Sequence, residues 1–129
     1  MKQRVLIVDD EMYICQIVRL VLEEAGYDVL QANSAGEGLK ILKDSRPDAL
    51  TVDLIMPGIK DTEFGGLDLL EHKRADPEIS EIPSIVLTAA GMQADVALEQ
   101  ALSLGANATL RKPFSQRQLL DAVGGLFDA

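Results

Sequence analysis

The sequence has few of the residue types on which several classes of protein depend. Its 129 residues include one cysteine, no tryptophan, two tyrosines and three phenylalanines. A single cysteine excludes an internal disulfide framework and a cysteine-based zinc cluster. The scarcity of aromatic side chains leaves little surface on which nucleic acid bases could stack. Cys15 is interpreted as a small helix residue rather than a redox centre, because only the start of that helix would favour its thiolate.

Long hydrophobic runs and an excess of positive charge are also absent. No apolar run approaches the roughly 18 residues of a membrane-spanning helix. Met1-Lys2-Gln3-Arg4 leads directly into a strand-like run rather than into a signal-peptide core. The chain has 12 basic and 21 acidic residues, so its net charge of −9 repels phosphate backbones and anionic lipids. We therefore expect a cytoplasmic chain that binds neither nucleic acid nor membranes.

Two kinds of hydrophobic pattern alternate along the chain. Short, unbroken apolar runs are typical of strands buried on both faces, and they alternate with segments of helical periodicity. Five strands that alternate with five helices indicate an α/β fold whose parallel sheet is covered on both faces. Because the chain has no internal repeat or linker, residues 1–129 are predicted to form one domain. The strand-like runs cover residues 4–8, 28–32, 49–52, 84–87 and 107–110.

The helical segments carry recognisable start and stop signals. The first segment covers residues 12–25, places Ile17 on its buried apolar stripe, and is followed by Gly26 as a stop signal. Ser34 and Glu37 have the spacing of a capping box and are predicted to open the second helix.

Polar residues collect where the predicted strands end. In open parallel sheets, ligands bind beyond the carboxyl ends of the strands. The second strand delivers no comparable side chain, as expected for a strand at the edge of the sheet. The other four deliver Asp9 and Asp10 (first strand), Asp53 (third), Thr88 (fourth) and Lys112 (fifth). We therefore expect three carboxylates, a hydroxyl and an ammonium group to converge on one crevice.

Three converging carboxylates call for a cation. Without one they repel each other, and some of them have to take up protons. Mg²⁺ prefers oxygen ligands, takes one or two carboxylates and keeps positions open for phosphate oxygens. A carboxylate beside Mg²⁺ can attack phosphorus to form an acyl phosphate. In such a reaction Lys112 supplies a positive charge, and Thr88 donates a hydrogen bond to a phosphate oxygen.

Four short motifs resemble those of response-regulator receiver domains, the chemotaxis-receiver-like modules of two-component signalling. They stand in the correct order, each at the end of the appropriate strand, and the resemblance covers essentially the whole chain. It implies a doubly wound, flavodoxin-like (βα)5 fold with strand order 2-1-3-4-5. The motifs are Val8-Asp9-Asp10-Glu11, Asp53-Leu54-Ile55-Met56-Pro57, Leu87-Thr88-Ala89 and Lys112-Pro113-Phe114.

The resemblance implies a role for each site residue. Asp53 is the phosphoacceptor, and Thr88 is the hydroxyl that swings toward the phosphoryl group. Lys112 contacts that group, and its bond to Pro113 is expected to be cis. The implied Mg²⁺ ligands are Asp9, Asp10, Asp53 and the backbone carbonyl of Ile55.

The resemblance also implies partners. Members of the family receive the phosphoryl group from a histidine kinase or a phosphotransfer protein. They signal to a downstream protein through the face formed by the fourth helix, the fifth strand and the fifth helix. The chain is expected to be a monomer or weak dimer that assists only its own phosphorylation and dephosphorylation, so it is not a turnover enzyme. No output domain is recognisable in residues 1–129.

The sequence departs from the family pattern in two places. Thr109 lies three residues before Lys112, where the family usually has Tyr, Phe or His. A threonine cannot fill the space that the aromatic ring occupies when the switch hydroxyl moves. The segment 58–66 is longer than the corresponding family loop, and it is either a lid, a partner-contact loop or plain length variation.

Three other functions are weighed against the receiver. A pseudo-receiver that docks proteins independently of phosphorylation is left open by Thr109 but disfavoured by the complete set of site residues. A haloacid-dehalogenase-type phosphatase needs a second aspartate two residues after its nucleophile, where this chain has Ile55. A flavodoxin-like electron carrier needs a phosphate-binding loop after the first strand, where Asp9 and Asp10 would repel the cofactor phosphate.

Overall fold

The strands and helices alternate in the order that the sequence pattern predicts. The computed structural model describes residues 2–56, 65–89 and 92–127. Each helix between two strands serves as the crossover that a parallel pair requires. Within the described ranges the strands are β1 (Arg4–Val8), β2 (Asp28–Ala32), β3 (Ala49–Asp53), β4 (Ser84–Thr88) and β5 (Ala108–Arg111). The helices are α1 (Met12–Glu24), α2 (Ala35–Ser45), α3 (Gly65–Ala75), α4 (Met92–Ser103) and α5 (Gln116–Phe127).

The strands form one parallel sheet in the order β2-β1-β3-β4-β5. This order confirms the predicted flavodoxin-like fold. All residues of β3 and β4 are buried, whereas the edge strand β5 alternates between half-buried and exposed residues. The chain runs from β1 to β2 on one side and then crosses back to β3 on the other side of β1, so the strand order reverses there and a crevice opens at the carboxyl ends of β1 and β3.

Apolar side chains cover both faces of the sheet. On one face, β1 and β3 pack against α2, α3 and α4 around residues such as Leu42 and Leu70. On the other face, α1 and α5 pack against the sheet around Val18, Leu119 and Val123. The helices are thus amphipathic and hold the sheet between two layers. Within the described ranges, none of them combines the length and the apolar composition that a bilayer crossing requires.

The predicted caps account for several of the helix ends. The N–H of Glu37 donates to Ser34 Oγ at 3.1 Å, so Ser34 caps α2 as predicted. Ser115 Oγ caps α5 in the same way by accepting from the N–H of Gln118 at 3.0 Å. Gly26 follows α1 with a φ of 99°, a conformation that glycine adopts at little cost.

Two local predictions were wrong. Ile17 was placed on the buried stripe of α1, but it is 42% exposed, and Cys15 is fully buried instead. Cys15 shares the buried face of α1 with Val18 and Leu22, three and seven residues further on, and there its thiol donates a hydrogen bond to the carbonyl oxygen of Asp9. The fifth strand begins one residue later than predicted, since the side chain of Asn107 accepts from the N–H of Ser84 at that end.

Candidate functional site

Three of the predicted carboxylates meet at the carboxyl edge of the sheet. Asp9 and Asp10 follow β1, and Asp53 is the last residue of β3. Each carboxylate contributes one oxygen to a cluster in which these three oxygens lie within 4.8 Å of one another. Asp9 is fully buried and Asp53 is 3% exposed, while Asp10 faces solvent. The strand-end prediction is therefore correct for these three residues.

Lys112 places its ammonium group among these carboxylates. Its Nζ lies 3.0 Å from Asp9 Oδ2 and 3.2 Å from Asp53 Oδ2, and Glu11 Oε1 is 3.5 Å away. Burial alone would lower the pKa of Lys112, but Asp53 and Asp9 outweigh that effect and raise the pKa. The lysine therefore stays charged and bridges the strands that carry the two buried carboxylates.

Two of the carboxylates are poorly stabilised as anions despite this lysine. Burial raises the pKa of Asp53 to about 6, with Lys112 opposing the shift and the negative charge of Asp9 adding to it. The pKa of Asp10 is also raised, first by partial desolvation and then by Asp9. One lysine thus leaves negative charge uncompensated at the site. A cation with oxygen ligands fits this donor set, and Mg²⁺ is such a cation.

Asp53 is held in a defined orientation. The N–H of Ile55 donates to Asp53 Oδ1 at 3.2 Å, and Lys112 donates to Oδ2. Ile55 itself is 44% exposed beside the site. The ligand role of its carbonyl stays a prediction.

The start of α3 packs tightly against the residues at the end of β3 and just after it. The N–H of Gly65 donates to Met56 O at 2.8 Å, and the N–H of Gly66 donates to Leu54 O at 3.2 Å. A Cβ on Gly66 would come within 2.5 Å of Asp53 O and 2.6 Å of the Leu54 Cα. Only glycine permits this approach without moving the backbone that carries Asp53. Most of the predicted insertion, residues 58–64, lies outside the described residues, and its last two residues begin α3.

Thr88 lies at the end of β4, next to the same crevice. It is fully buried, and its Oγ1 has no hydrogen-bond partner among the residues that the structure describes. The N–H of Lys112 donates to the carbonyl oxygen of Thr88 at 2.7 Å, which ties the threonine to the lysine through the backbone. The bond from Lys112 to Pro113 is cis, as expected.

Thr109 and Arg111 are the two exposed residues of β5. Thr109 is exposed and lies opposite Val86 of β4. Two residues further along, Arg111 forms an ion pair with Asp95 of α4. This pair links β5 to α4, but it is more than half exposed and contributes little to stability.

Asn33 is a residue of the site that was missed from the sequence. The pattern predicts nothing comparable at the end of the second strand, but Asn33 follows β2 and donates to the carbonyl oxygen of Asp9 at 3.1 Å. An uncharged amide carries no signal of its own in a sequence. The pairing of β1 with β2 could have indicated it, because that pairing brings the ends of the two strands side by side.

Comparisons with known proteins agree with this geometry. The family model of the response regulator receiver domain matches residues 5–124. The phosphate regulon transcriptional regulatory protein PhoB of Pseudomonas aeruginosa is 34% identical over 116 residues, which cover 90% of this chain and 48% of PhoB. The chain belongs to the response-regulator receiver family, and it spans about half the length of the curated relatives it matches.

Solved structures give the same assignment. A response-regulator structure from Chloroflexus aurantiacus superposes with a TM-score of 0.87 at 33% identity and with full coverage of both chains. The receiver domain of a sensor histidine kinase from Pseudomonas aeruginosa PAO1 has a TM-score of 0.85 at 26% identity, again with full coverage of both chains. That structure is described with a magnesium ion coordinated in the active site cleft.

Proposed function

We propose that this chain is the phosphoacceptor module of a two-component phosphorelay. It takes a phosphoryl group from a histidine kinase or phosphotransfer protein onto Asp53 in a Mg²⁺-dependent reaction, and it then switches a surface that binds a downstream protein. One observation carries the proposal: Asp53 lies against Lys112 Nζ at 3.2 Å within a cluster of three carboxylates.

The oriented carboxylate of Asp53 is the nucleophile. One of its oxygens attacks phosphorus, the bond between phosphorus and the donor's imidazole nitrogen breaks, and that nitrogen keeps the electron pair. The product is an acyl phosphate on Asp53. Hydrogen bonds from Ile55 and Lys112 limit rotation of the carboxylate. Since the pKa of Asp53 is about 6 before any cation binds, the nucleophile is mostly ionised at neutral pH.

The remaining site residues balance the negative charge of the phosphoryl group. Asp9, Asp10, Asp53 and the carbonyl of Ile55 are the residues that would hold Mg²⁺. When bound, the ion supplies positive charge to the oxygens of the transferred group. Lys112 carries a second positive charge beside Asp53, so the negative charge of the phosphoryl group is met on two sides. This arrangement supports transfer to and loss from the protein itself rather than turnover of a separate substrate.

The unpartnered hydroxyl of Thr88 supports the switching step. A buried hydroxyl without a partner costs free energy, which a hydrogen bond to a phosphoryl oxygen recovers. Because Lys112 and Thr88 share a backbone hydrogen bond, a movement of Thr88 reaches β5 directly.

An apolar groove beside the site supports a protein donor. It has a volume of about 320 Å³ and is lined by Ile14, Ile17 and Val18 of α1 together with Lys112, Pro113 and Phe114. Tyr13 and Leu20 of the same helix are also exposed. A donor that seats on this groove comes within reach of Asp53, because Lys112 belongs to both the groove and the site.

Intact mass spectrometry tests the proposal. The chain is incubated with acetyl phosphate with and without Mg²⁺, and Asp53→Asn is compared with Asp121→Asn, which changes an exposed aspartate of α5. We expect one phosphoryl adduct in the wild type and in Asp121→Asn, only with Mg²⁺, and none in Asp53→Asn. A folded wild-type chain without an adduct would overturn the proposal and favour the phosphorylation-independent docking module.

A further inference from the structure

The carbonyl oxygen of Asp9 lies between two regular elements. β1 ends at Val8, and α1 begins at Met12, so this carbonyl belongs to neither. Asp9 is fully buried, and a buried carbonyl oxygen without a partner destabilises the fold. The hydrogen bonds that this oxygen accepts come from side chains.

Two side chains from different elements donate to this one oxygen. Asn33, which follows β2, donates through Nδ2 at 3.1 Å, and Cys15 of α1 donates through its thiol at 3.2 Å. The two donors also touch each other, with Asn33 Nδ2 and Cys15 Sγ 3.8 Å apart. The cysteine is fully buried, so both donors meet the Asp9 carbonyl away from solvent on the Cys15 side.

The other polar atoms of Asp9 are engaged as well. Its N–H donates to Ala32 O at 3.1 Å, Oδ1 accepts from the N–H of Glu11 at 2.9 Å, and Oδ2 accepts from Lys112 at 3.0 Å. The Asp10 side chain is exposed, so the backbone at Asp10 is what fixes the point from which this carboxylate reaches the site. The peptide plane between Asp9 and Asp10 sets that starting point, and the donors on Asp9 O hold the plane in place.

We infer that Asn33 and Cys15 are positioning residues of the cation site. They fix the peptide between Asp9 and Asp10 and thereby hold the acidic pair in the geometry that binds the ion. This inference rests on the proposed Mg²⁺-dependent function. Residues that orient metal ligands without touching the metal affect its affinity strongly when they are replaced.

Titration calorimetry with MgCl2 tests the inference on the whole chain. We expect Asn33→Ala to bind Mg²⁺ about 10-fold more weakly than the wild type. Asn107→Ala is the matched control, because its side chain accepts from Ser84 N–H at 2.9 Å near the opposite edge of the sheet. That variant also loses one hydrogen bond of an asparagine side chain, and we expect its Mg²⁺ affinity to stay at the wild-type value.

A pair of Cys15 variants tests the inference independently of Asn33. Cys15→Ser keeps a hydrogen donor at this position, whereas Cys15→Ala removes it. We expect the serine variant to bind Mg²⁺ more tightly than the alanine variant. Equal affinities for this pair, together with wild-type affinity in Asn33→Ala, would overturn the inference and leave both residues a purely structural role. A wild-type chain that binds no Mg²⁺ would overturn the proposed function itself, so the two failures are distinguishable.

Discussion

Two neighbouring parts of the carboxyl edge differ in how completely their groups are engaged. The phosphoacceptor centre, defined as Asp9, Asp53, Gly66 and Lys112, is closely packed: both buried carboxylates bind Lys112, and Gly66 touches the backbone of Asp53. The proposed switch region, defined as Thr88 at the end of β4 and Thr109 within β5, contains side chains that are less engaged. The hydroxyl of Thr88 has no partner among the described residues, and Thr109 is exposed.

This difference in engagement matches two different requirements, one for the proposed phosphoryl transfer and one for the proposed signalling. Phosphoryl transfer depends on positioning, and a centre whose groups are held in place before the reaction loses little free energy to reorganisation. A switch needs a group without a hydrogen-bond partner in the resting state, so that a new partner shifts the equilibrium between two conformations. Under the proposed function Thr88 is such a group. We therefore expect substitutions in the centre to be costly and substitutions in the switch region to be mild.

Gly66→Ala is expected to have the largest effect. The added Cβ would lie 2.5 Å from Asp53 O, a backbone atom that cannot rotate away. We expect the free energy of unfolding to fall by about 1–3 kcal/mol, and phosphorylation of the remaining folded protein to slow. Urea denaturation and the mass assay with acetyl phosphate measure the two effects.

Gly124→Ala is the control for that substitution. A Cβ on Gly124 of α5 would meet nothing within 4 Å. Alanine is more favourable than glycine in a helix by about 1 kcal/mol. This variant is therefore expected to be slightly more stable than the wild type and to be phosphorylated at the wild-type rate. Similar behaviour of the two variants would show that the centre is not the tightly packed part.

The pH dependence of stability comes next in size. Burial raises the pKa of Asp53 from 3.8 to about 6, so the folded state holds this proton more tightly than the unfolded state does. The resulting stabilisation is fully present below pH 3.8 and is lost as the pH rises through about 6, at roughly 1.4 kcal/mol per pKa unit. In metal-free buffer the wild type should therefore lose stability relative to Asp53→Asn over this range.

Adding Mg²⁺ provides a control for the predicted pH dependence of stability. A cation beside Asp53 favours the carboxylate, so saturating Mg²⁺ should restore stability at neutral pH in the wild type and much less in Asp53→Asn. A stability difference between the two proteins that stays flat with pH in metal-free buffer would show that Asp53 is not poorly stabilised as an anion.

Thr88→Val is expected to have the smallest effect on the resting protein. It removes an unpartnered buried hydroxyl, so the free energy of unfolding should rise by about 1 kcal/mol. Thr51→Val is the matched control, since Thr51 Oγ1 is also buried without a partner among the described residues but lies two residues before Asp53 in β3.

The two variants should differ only when a phosphoryl mimic is present. Addition of beryllofluoride with Mg²⁺ should shift the backbone amide resonances of β5 in the wild type and in Thr51→Val, but much less in Thr88→Val. Equal shifts in all three proteins would mean that Thr88 does not connect the centre to β5.

The parts that could be predicted from the sequence are those with a strong local signal. Unbroken apolar runs marked the strands, and charged residues directly after them marked Asp9, Asp53 and Lys112. What could not be predicted depends on contacts between distant segments. Asn33 acts through an uncharged amide on a neighbouring strand's carbonyl, and Gly66 acts through the absence of a side chain.

The burial of Cys15 was missed for a different reason. Cys15 has the helical spacing of the buried residues Val18 and Leu22, but the more hydrophobic Ile17 was assigned to that face instead. The thiol of Cys15 meets the carbonyl oxygen of Asp9, and Ile17 turns outward to line the groove beside Lys112.

Chemical trapping of the phosphorylated residue tests the central claim most directly. Borohydride reduces an acyl phosphate of aspartate to homoserine, and peptide mass mapping then locates the altered residue. After incubation with acetyl phosphate and Mg²⁺, we predict homoserine at position 53 and aspartate at positions 9 and 10. Homoserine at either of those positions, or unaltered aspartate at all three in a folded chain, would contradict the assignment of Asp53 as the phosphoacceptor.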